Sequence, residues 1–294
     1  MKLKEVLDKT TNFFKDKKIE SARLDAELLL ASGLGLRRID LYVKYDQPLT
    51  DNELQTCREF VRRRGQGEPV AYILGNKYFF NHEFKVNSHV LIPRPETELL
   101  VEDAILWAQK SQLESIKILD LGTGSGCIAL SLLKELPSAQ AIAVDISAEA
   151  IQLAQQNAEI LGVQDRIQFI KSDANDITNV QDQFLIHEQR FDLIVANPPY
   201  IDKNTNYTEK NVIQYEPHQA LFAEQSGLQL LSNNKNRPSP LKKKFRIWRV
   251  NIPRDHNDGR SRMRNPWLFL KLSKQGSLCH HKTILHDLNV YYTI

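Results

Sequence analysis

A glycine-rich turn follows an apolar run near the middle of the chain. The run, residues 116–121, is typical of a buried strand and contains Asp120. The turn consists of Gly122, Thr123, Gly124, Ser125 and Gly126. Glycine permits positive φ angles and lets the backbone approach a ligand closely. The spacing is G-x-G-x-G and differs from the G-x-G-x-x-G of dinucleotide-binding proteins. The turn therefore predicts a site for a nucleoside that carries no diphosphate.

Two further acidic residues end the next predicted strands. Asp145 follows the run 141–144, and Asp173 follows the run 167–170 and precedes Ala174. A carboxylate at the first position can accept both ribose hydroxyls. At the second position, the Asp173 carboxylate can accept from the exocyclic amine of adenine, and the Ala174 N–H can donate to a ring nitrogen. The carboxyl ends of parallel strands meet at the ligand-binding edge of such a sheet, which favours a cofactor site over three unrelated solvated strand ends. S-adenosylmethionine, a nucleoside without phosphate, fits this pattern.

A rigid polar segment follows the fourth predicted strand, residues 191–196. It consists of Asn197, Pro198, Pro199 and Tyr200. The prolines remove two N–H donors and leave carbonyl acceptors, and Asn197 adds a side-chain carbonyl. Two acceptors can hold an NH2 group in line with an electrophilic methyl group, while Tyr200 offers a flat face to a planar amide or base. Positioning of this kind can supply much of the acceleration. Asn197, Pro198 and Tyr200 are thus the predicted catalytic residues. These three and Pro199 are predicted to bind substrate.

Apolar runs alternate with helical patterns between residues 96 and 196. Such runs predict a parallel sheet covered on both faces, so the fold class is α/β with a doubly wound, mostly parallel, Rossmann-like sheet. Helices are predicted at residues 21–34 and 50–64, the latter with a capping box of Thr50 and Glu53. Residues 77–92 predict a hairpin with turns near Asn81 and Asn87.

Composition narrows the class of protein. The 294 residues are 41% hydrophobic and 26% charged, which is typical of a globular protein. The first twenty residues mix acids and lysines, unlike a signal or transit peptide, and no apolar run is long enough to span a membrane. The three distant cysteines predict neither disulfides nor a zinc site, and Cys279, His280, His281 and His286 lack paired ligand spacing. We therefore expect a cytoplasmic protein without a metal.

These motifs resemble those of class I S-adenosylmethionine-dependent methyltransferases that act on amino groups. Further segments resemble the bacterial release-factor glutamine methyltransferases, the HemK/PrmC family: residues 64–75, 91–98, 215–218 and 220–223. The resemblance covers about residues 1–231. It implies methylation of N5 of the glutamine in the Gly-Gly-Gln loop of class-1 peptide chain release factors. It also implies that Asn197 contacts the cofactor as well as the glutamine amide, and that residues 93–98 line the site.

The change from short helices to a hairpin and then to alternating strands and helices predicts a division of the chain. Residues 1–75 are expected to form a helical substrate-recognition domain, residues 76–95 a hairpin linker, and residues 96–231 the methyltransferase domain. Two alternatives remain: an adenine N6-type nucleic-acid methyltransferase, and a cofactor-binding remnant without activity. The first would need a basic face, whereas residues 1–232 carry a net charge of −8.

The last segment, residues 232–294, departs from the family. Residues 233–294 hold 14 Lys and Arg against three Asp and no Glu. A shifted reading frame would explain the basic charge and the lost similarity together, and a nucleic-acid-binding tail is the alternative. Residues 245–250 and 267–272 could be strands. We expect that this tail does not complete the sheet in the family manner, that its apolar pieces pair at most partly with the fourth strand, whose edge is then exposed, and that activity suffers.

Overall fold

The computed structural model describes residues 1–173, 191–197, 201–202, 210–223, 245–250 and 267–272. The chain divides into two compact units. The first comprises Met1–Lys77, Val86–Ser88 and Thr208–Glu216, and the second comprises Tyr78–Lys85, His89–Tyr207 and Pro217–Ile294. Among the described residues, no helix has both the length and the apolar character of a membrane span. The tail residues Cys279, His280, His281 and His286 lie outside the described residues.

The first unit is helical. Its main helices are α1 (Leu3–Asp16), α2 (Ala22–Gly33), α3 (Asp40–Val43), α4 (Asp51–Gly65) and α5 (Val70–Leu74). Their apolar faces meet in one cluster that includes Leu7, Phe14, Leu30 and Leu41, all fully buried. A further short helix, Lys210–Tyr215, belongs to the same unit.

Polar contacts hold the ends of α2 and α4. Thr50 caps α4, and its side chain and that of Glu53 form the predicted capping box. At the other end of α4, Arg64 Nε lies 2.7 Å from Asp25 Oδ2 of α2. Both side chains are largely buried, so losing one partner would leave a buried, unpaired charge. The predicted helix at residues 21–34 is confirmed as α2.

A β-hairpin opens the second unit. Its strands are β1 (Asn76–Phe79) and β2 (His82–Lys85), which pair in a two-stranded sheet. Phe80 and Asn81 form the turn with positive φ angles of 47° and 62°, which confirms the first predicted turn. The prediction was wrong further on, because Val90 and Ile92 are buried without joining a strand. Their apolar side chains are buried outside any strand, and a sequence pattern does not distinguish this from burial within a strand.

The centre of the second unit is a sheet with six strands among the described residues: β3 (Lys117–Leu121), β4 (Gln140–Asp145), β5 (Ile167–Lys171), β6 (Leu193–Ala196), β9 (Phe245–Val250) and β10 (Trp267–Leu272). Their order in the sheet is β5-β4-β3-β6-β10-β9. The first four run parallel, and β10 is antiparallel to both β6 and β9. The short strands β7 (Ile201–Asp202) and β8 (Phe222–Ala223) pair separately. The predicted mostly parallel α/β sheet is confirmed.

Three helices cover one face of this sheet: α6 (Glu98–Ser111), α7 (Cys127–Glu135) and α8 (Ala148–Leu161). They pack on the strand residues that point to that face, including Ile118, Ala141 and Val195. Alternate residues such as Leu119 and Ile194 form a second buried cluster on the opposite face. Burial on both faces explains why these strands are continuous apolar runs.

The tail strands correct one expectation. Both predicted strands, Phe245–Val250 and Trp267–Leu272, are present as β9 and β10. β10 pairs along the whole of β6, with Leu268 opposite Ala196 and Lys271 opposite Leu193. The expectation of an exposed β6 edge was therefore wrong. The tail has enough β-branched and aromatic residues to form a ladder despite its charge.

Candidate active site

The glycine turn connects β3 to α7 and is tied to β4. The N–H groups of Gly122 and Thr123 both donate to the carbonyl of Val144, at 2.8 and 3.0 Å. Gly122 and Gly124 have φ angles of 73° and 56°, which side chains rarely adopt. A Cβ atom at either position would have no atom of the described residues within 4 Å. The turn thus presents bare backbone to a space in which a ligand can lie close.

Gly126 has a different role, because it faces the core. Its φ is 81°, and a Cβ there would lie 2.8 Å from Leu130 Cδ1 and 3.3 Å from Ala154 Cβ. The residue therefore allows α7 and α8 to pack closely behind the turn. A glycine is therefore required at position 126 for close packing as well as for the backbone conformation.

We expect Gly126→Ala to lower the free energy of unfolding by about 2–4 kcal/mol, from left-handed backbone strain plus overpacking. Gly162→Ala is the matched control, since Gly162 has a φ of 67° but a Cβ added there would meet no atom of the described part of the chain within 4 Å. Only the strain of about 1 kcal/mol should remain there. Urea unfolding of both variants measures the difference. Equal losses would show that the contact with Leu130 is easily relieved.

Asp145 is the last residue of β4 and lies beside the turn. Its Oδ2 accepts the N–H of Gly124 at 2.8 Å, and its Oδ1 accepts the N–H of Ser147 at 3.0 Å. Ser147 in turn caps α8 by accepting from the N–H of Ala150. Each carboxylate oxygen can accept a second hydrogen bond. Asp145 is thus held rigidly in an orientation that can receive two hydroxyl groups.

Asp120 lies beneath the turn and is fully buried. Its Oδ2 accepts the hydroxyl of Thr123 at 2.8 Å. The backbone N–H of Ala129 also interacts with this carboxyl group, while among the described residues Oδ1 itself has no hydrogen bond of normal geometry. Burial raises the pKa of Asp120 to about 7, and the charge of Asp145 acts in the same direction. A positive charge placed above the turn would favour the ionised form of this buried carboxyl.

We expect Asp120 to make stability depend on pH. In the folded protein its carboxyl stays protonated up to a pKa of about 7, whereas in the unfolded chain it ionises near its ordinary value of 3.8. Its contribution to stability is therefore fully present below about pH 4 and is lost as the pH rises to about 7. Relative to Asp120→Asn, the wild type should lose up to roughly 4 kcal/mol across this range. Urea unfolding at several pH values tests this, and parallel pH profiles for the two proteins would contradict it.

Asn197 directly follows β6. Ala196 pairs with Leu121 of β3, so Asn197 and Gly122 leave adjacent strands at the same edge. The Asn197 Oδ1 atom is buried and, among the described residues, has no hydrogen-bond donor. An unpaired buried carbonyl is costly unless a ligand completes it. The atom is therefore available as an acceptor for an N–H group of a substrate or cofactor.

Asp173 lies two residues beyond the end of β5 and is exposed. The neighbouring Ser172 N–H donates to the carbonyl of Asp145 at 2.9 Å, which ties this segment to the end of β4. The structure thus brings Asp120, Asp145 and Asn197 to one edge, with Asp173 following the next strand of that edge. The remaining predicted residues, Ala174, Pro198, Pro199 and Tyr200, lie outside the described residues. The roles assigned to the site residues remain predictions.

One polar residue behind the site escaped prediction from the sequence. Asn157 of α8 is fully buried and hydrogen-bonds to the carbonyl of Ser125 in the glycine turn. The available signal was an asparagine on the apolar face of α8, where a core residue would be expected.

Comparisons with known proteins agree with this geometry. A model of the PrmC N-terminal domain matches residues 5–75, and a model of a methyltransferase domain matches residues 113–254. A release factor glutamine methyltransferase of Chlorobaculum tepidum is 45% identical over 74% of this chain and 74% of its own length. One of Rhodopirellula baltica is 42% identical over 77% of this chain and 75% of its own length. One of Leptospira interrogans is 45% identical over 74% of both chains. The resemblance seen in the sequence is confirmed, and the chain belongs to the release factor glutamine methyltransferase family.

Proposed function

We propose that this protein transfers the methyl group of S-adenosylmethionine to the side-chain amide nitrogen N5 of a glutamine in a peptide chain release factor. The glutamine is that of the Gly-Gly-Gln loop of class-1 factors. The single observation that carries the chemistry is the buried, unpaired Oδ1 of Asn197 at the edge shared with the glycine turn, as seen among the described residues. The names of the relatives support the substrate. This substrate would place the reaction in the cytoplasm, where translation ends.

The residues of the turn fit the proposed cofactor. The open space beside Gly122 and Gly124 accommodates a nucleoside against bare backbone. Asp145 is oriented to accept two ribose hydroxyls. Asp120 provides a buried carboxyl that a positively charged group would draw toward its ionised form. When bound, S-adenosylmethionine supplies an electrophilic methyl group on a positively charged sulfur.

The role of Asn197 follows from the weak nucleophilicity of an amide nitrogen. The Asn197 Oδ1 would accept one N–H of the glutamine amide, which orients the amide and increases the electron density on its nitrogen. Pro198 and Pro199 cannot donate and therefore do not compete for this acceptor. Tyr200 would stack against the amide plane. Orientation of this kind acts mainly at the reacting geometry, so it should affect turnover more than binding.

Mass spectrometry of a purified release factor tests the proposal directly. After incubation with this protein and isotopically labelled S-adenosylmethionine, we expect one labelled methyl group on the glutamine of the Gly-Gly-Gln loop. Labelled adenine in DNA or RNA, with none on the release factor, would establish the nucleic-acid alternative instead. Cofactor binding without any methyl transfer would identify a remnant and overturn the proposed activity.

We further propose that residues 1–75 recognise the protein substrate. Five helices with their own apolar core lie in this region, and the residues that surround the glycine turn belong to the other unit. Deleting residues 1–75 is expected to abolish methylation of the intact release factor while the affinity for S-adenosylmethionine stays within about threefold. Calorimetry and the mass-spectrometric assay measure the two effects. Full methylation by the truncated chain would contradict this assignment.

A further inference from the structure

Asn157 makes three hydrogen bonds in the core of the second unit. Its Oδ1 accepts the N–H of Lys85 at 2.8 Å, and its Nδ2 donates to the carbonyls of Lys85 at 3.1 Å and Ser125 at 2.9 Å. The side chain is fully buried. One amide therefore joins the last residue of β2 to the glycine turn.

The arrangement at Lys85 resembles pairing between strands. The Asn157 amide engages both the N–H and the carbonyl of one residue, as a neighbouring strand would. Asparagine has low helix propensity, and an apolar residue at a fully buried helical position would avoid the cost of burying an amide. The contacts of Asn157 thus explain its position on α8 better than helix formation or core packing does.

The hairpin that Asn157 holds is tied at its other end to the start of α6. The N–H of Phe80, in the turn between β1 and β2, donates to Oε1 of Glu98 at 3.1 Å. Glu98 is the first residue of α6 and the last of residues 93–98, which the family resemblance places at the site. A continuous path therefore runs from Ser125 through Asn157 and the hairpin to Glu98.

We propose that Asn157 is a positioning residue that couples occupation of the glycine turn to the placement of residues 93–98. This inference rests on the proposed function, because it assumes that the turn holds the cofactor and that residues 93–98 contact the substrate. Binding the cofactor would thereby order the substrate side of the site before the release factor arrives.

The physical basis is the freedom of the turn. Gly124 and Gly126, which flank Ser125, both have positive φ angles. Glycines on both sides give the backbone around Ser125 extra freedom. In the peptide group between Ser125 and Gly126, the N–H of Gly126 donates to the carbonyl of Thr123 at 2.8 Å, and the carbonyl of Ser125 accepts from Asn157. Asn157 holds this carbonyl. A ligand that restricts the motion of the turn therefore also restricts the Asn157 amide and, through it, the N–H and the carbonyl of Lys85. A ligand that restricts one end of such a path lowers the entropic cost of ordering the other end.

The variant Asn157→Asp tests the first link. It keeps the size of the side chain and the acceptor for the Lys85 N–H, and it replaces the donor that faces two carbonyls with an oxygen. Leu153→Ala on the same helix is the control, since Leu153 is buried and its apolar side chain makes none of the hydrogen bonds of the path. We expect Asn157→Asp to weaken S-adenosylmethionine binding about tenfold by calorimetry. Leu153→Ala should bind as the wild type does.

Hydrogen exchange supplies the readout that a merely structural role would not change. In the wild type and in Leu153→Ala, S-adenosylmethionine should slow exchange at residues 122–126 and also at Phe80 and Lys85. In Asn157→Asp it should slow exchange at residues 122–126 alone. Cofactor-dependent protection of the hairpin in Asn157→Asp equal to that in the wild type would overturn the proposal.

The matched pair Glu98→Ala and Glu98→Gln tests the second link, and it does so even if Asn157→Asp fails to fold. Glu98→Gln retains an oxygen acceptor for the Phe80 N–H, whereas Glu98→Ala removes it. The cofactor should slow amide exchange at residues 96–98 in the wild type and in Glu98→Gln but not in Glu98→Ala. Identical protection in both variants would overturn the proposed path. A wild type that binds and methylates without protecting the hairpin would refute this inference alone, whereas one that binds no S-adenosylmethionine would refute the proposed function as well.

Discussion

Replacing Asn197 with alanine is expected to lower the turnover number for release-factor methylation at least 100-fold, while the dissociation constant of S-adenosylmethionine changes by less than about threefold. The reason is the position of Oδ1, which is buried beside the glycine turn and, in the part of the chain that the structure describes, has no donor of its own. An acceptor that is completed only by the substrate amide acts in the reacting complex. Single-turnover kinetics and calorimetry separate the two quantities.

The variant Asn197→Asp serves as the matched control. It keeps the size of the side chain and its acceptor oxygen and loses the Nδ2 donor. If the acceptor carries the effect, Asn197→Asp should retain more turnover than Asn197→Ala at saturating cofactor. Near-normal methylation by a folded Asn197→Ala protein would show that the Asn197 acceptor is not required for the reaction.

The second large effect is expected at Asp145, where alanine should weaken S-adenosylmethionine binding about 100-fold or more. Two hydrogen bonds from ribose hydroxyls to a charged acceptor would be lost, each worth up to about 1.5–3 kcal/mol. The same substitution removes the acceptor of the Gly124 N–H, which holds the turn, and of the Ser147 N–H. Direct contacts and preorganisation of the turn would therefore be lost together. Isothermal titration calorimetry measures the change.

Asp165→Ala is the control for this experiment. Asp165 lies in the short helical turn Gln164–Arg166 that leads into the start of β5. It is therefore near the amino ends of the parallel strands, whereas Asp145 is at the carboxyl end of β4. The same loss of a carboxylate there should leave the affinity unchanged within about threefold. Unchanged affinity in a folded Asp145→Ala protein would show that the ribose is held elsewhere.

The sequence predicted most of the parallel sheet because each strand is buried on both faces. Burial makes β3, β4 and β6 continuous apolar runs, and their separation by amphipathic helices implies parallel connections. The site followed from the same logic, since Asp145 and Asn197 come at strand ends. For these strands and for the residues at their ends, a few neighbouring residues along the chain are enough to make the prediction.

Long-range pairing was beyond this kind of prediction. The tail strand β10 was recognised as a strand, but its antiparallel pairing with β6 depends on edges that meet only in the folded protein. Asn157 shows the same limit for the site, because its partners Lys85 and Ser125 are 72 and 32 residues away along the chain. The spacing of residues within a motif does not predict such contacts.

The ladder between β6 and β10 also has a consequence for how the protein is made. Ala196 and its partner Leu268 are far apart along the chain, so a ribosome must add the whole intervening segment before this pairing can begin. The ladders of β3 with β4 and β6 join residues that emerge earlier. Contacts of long sequence separation form slowly, and domains usually fold as they emerge from the N-terminus. We therefore infer that the nascent chain passes through a four-stranded sheet in which one side of β6 has no partner strand, a stage at which a chaperone would have most to protect.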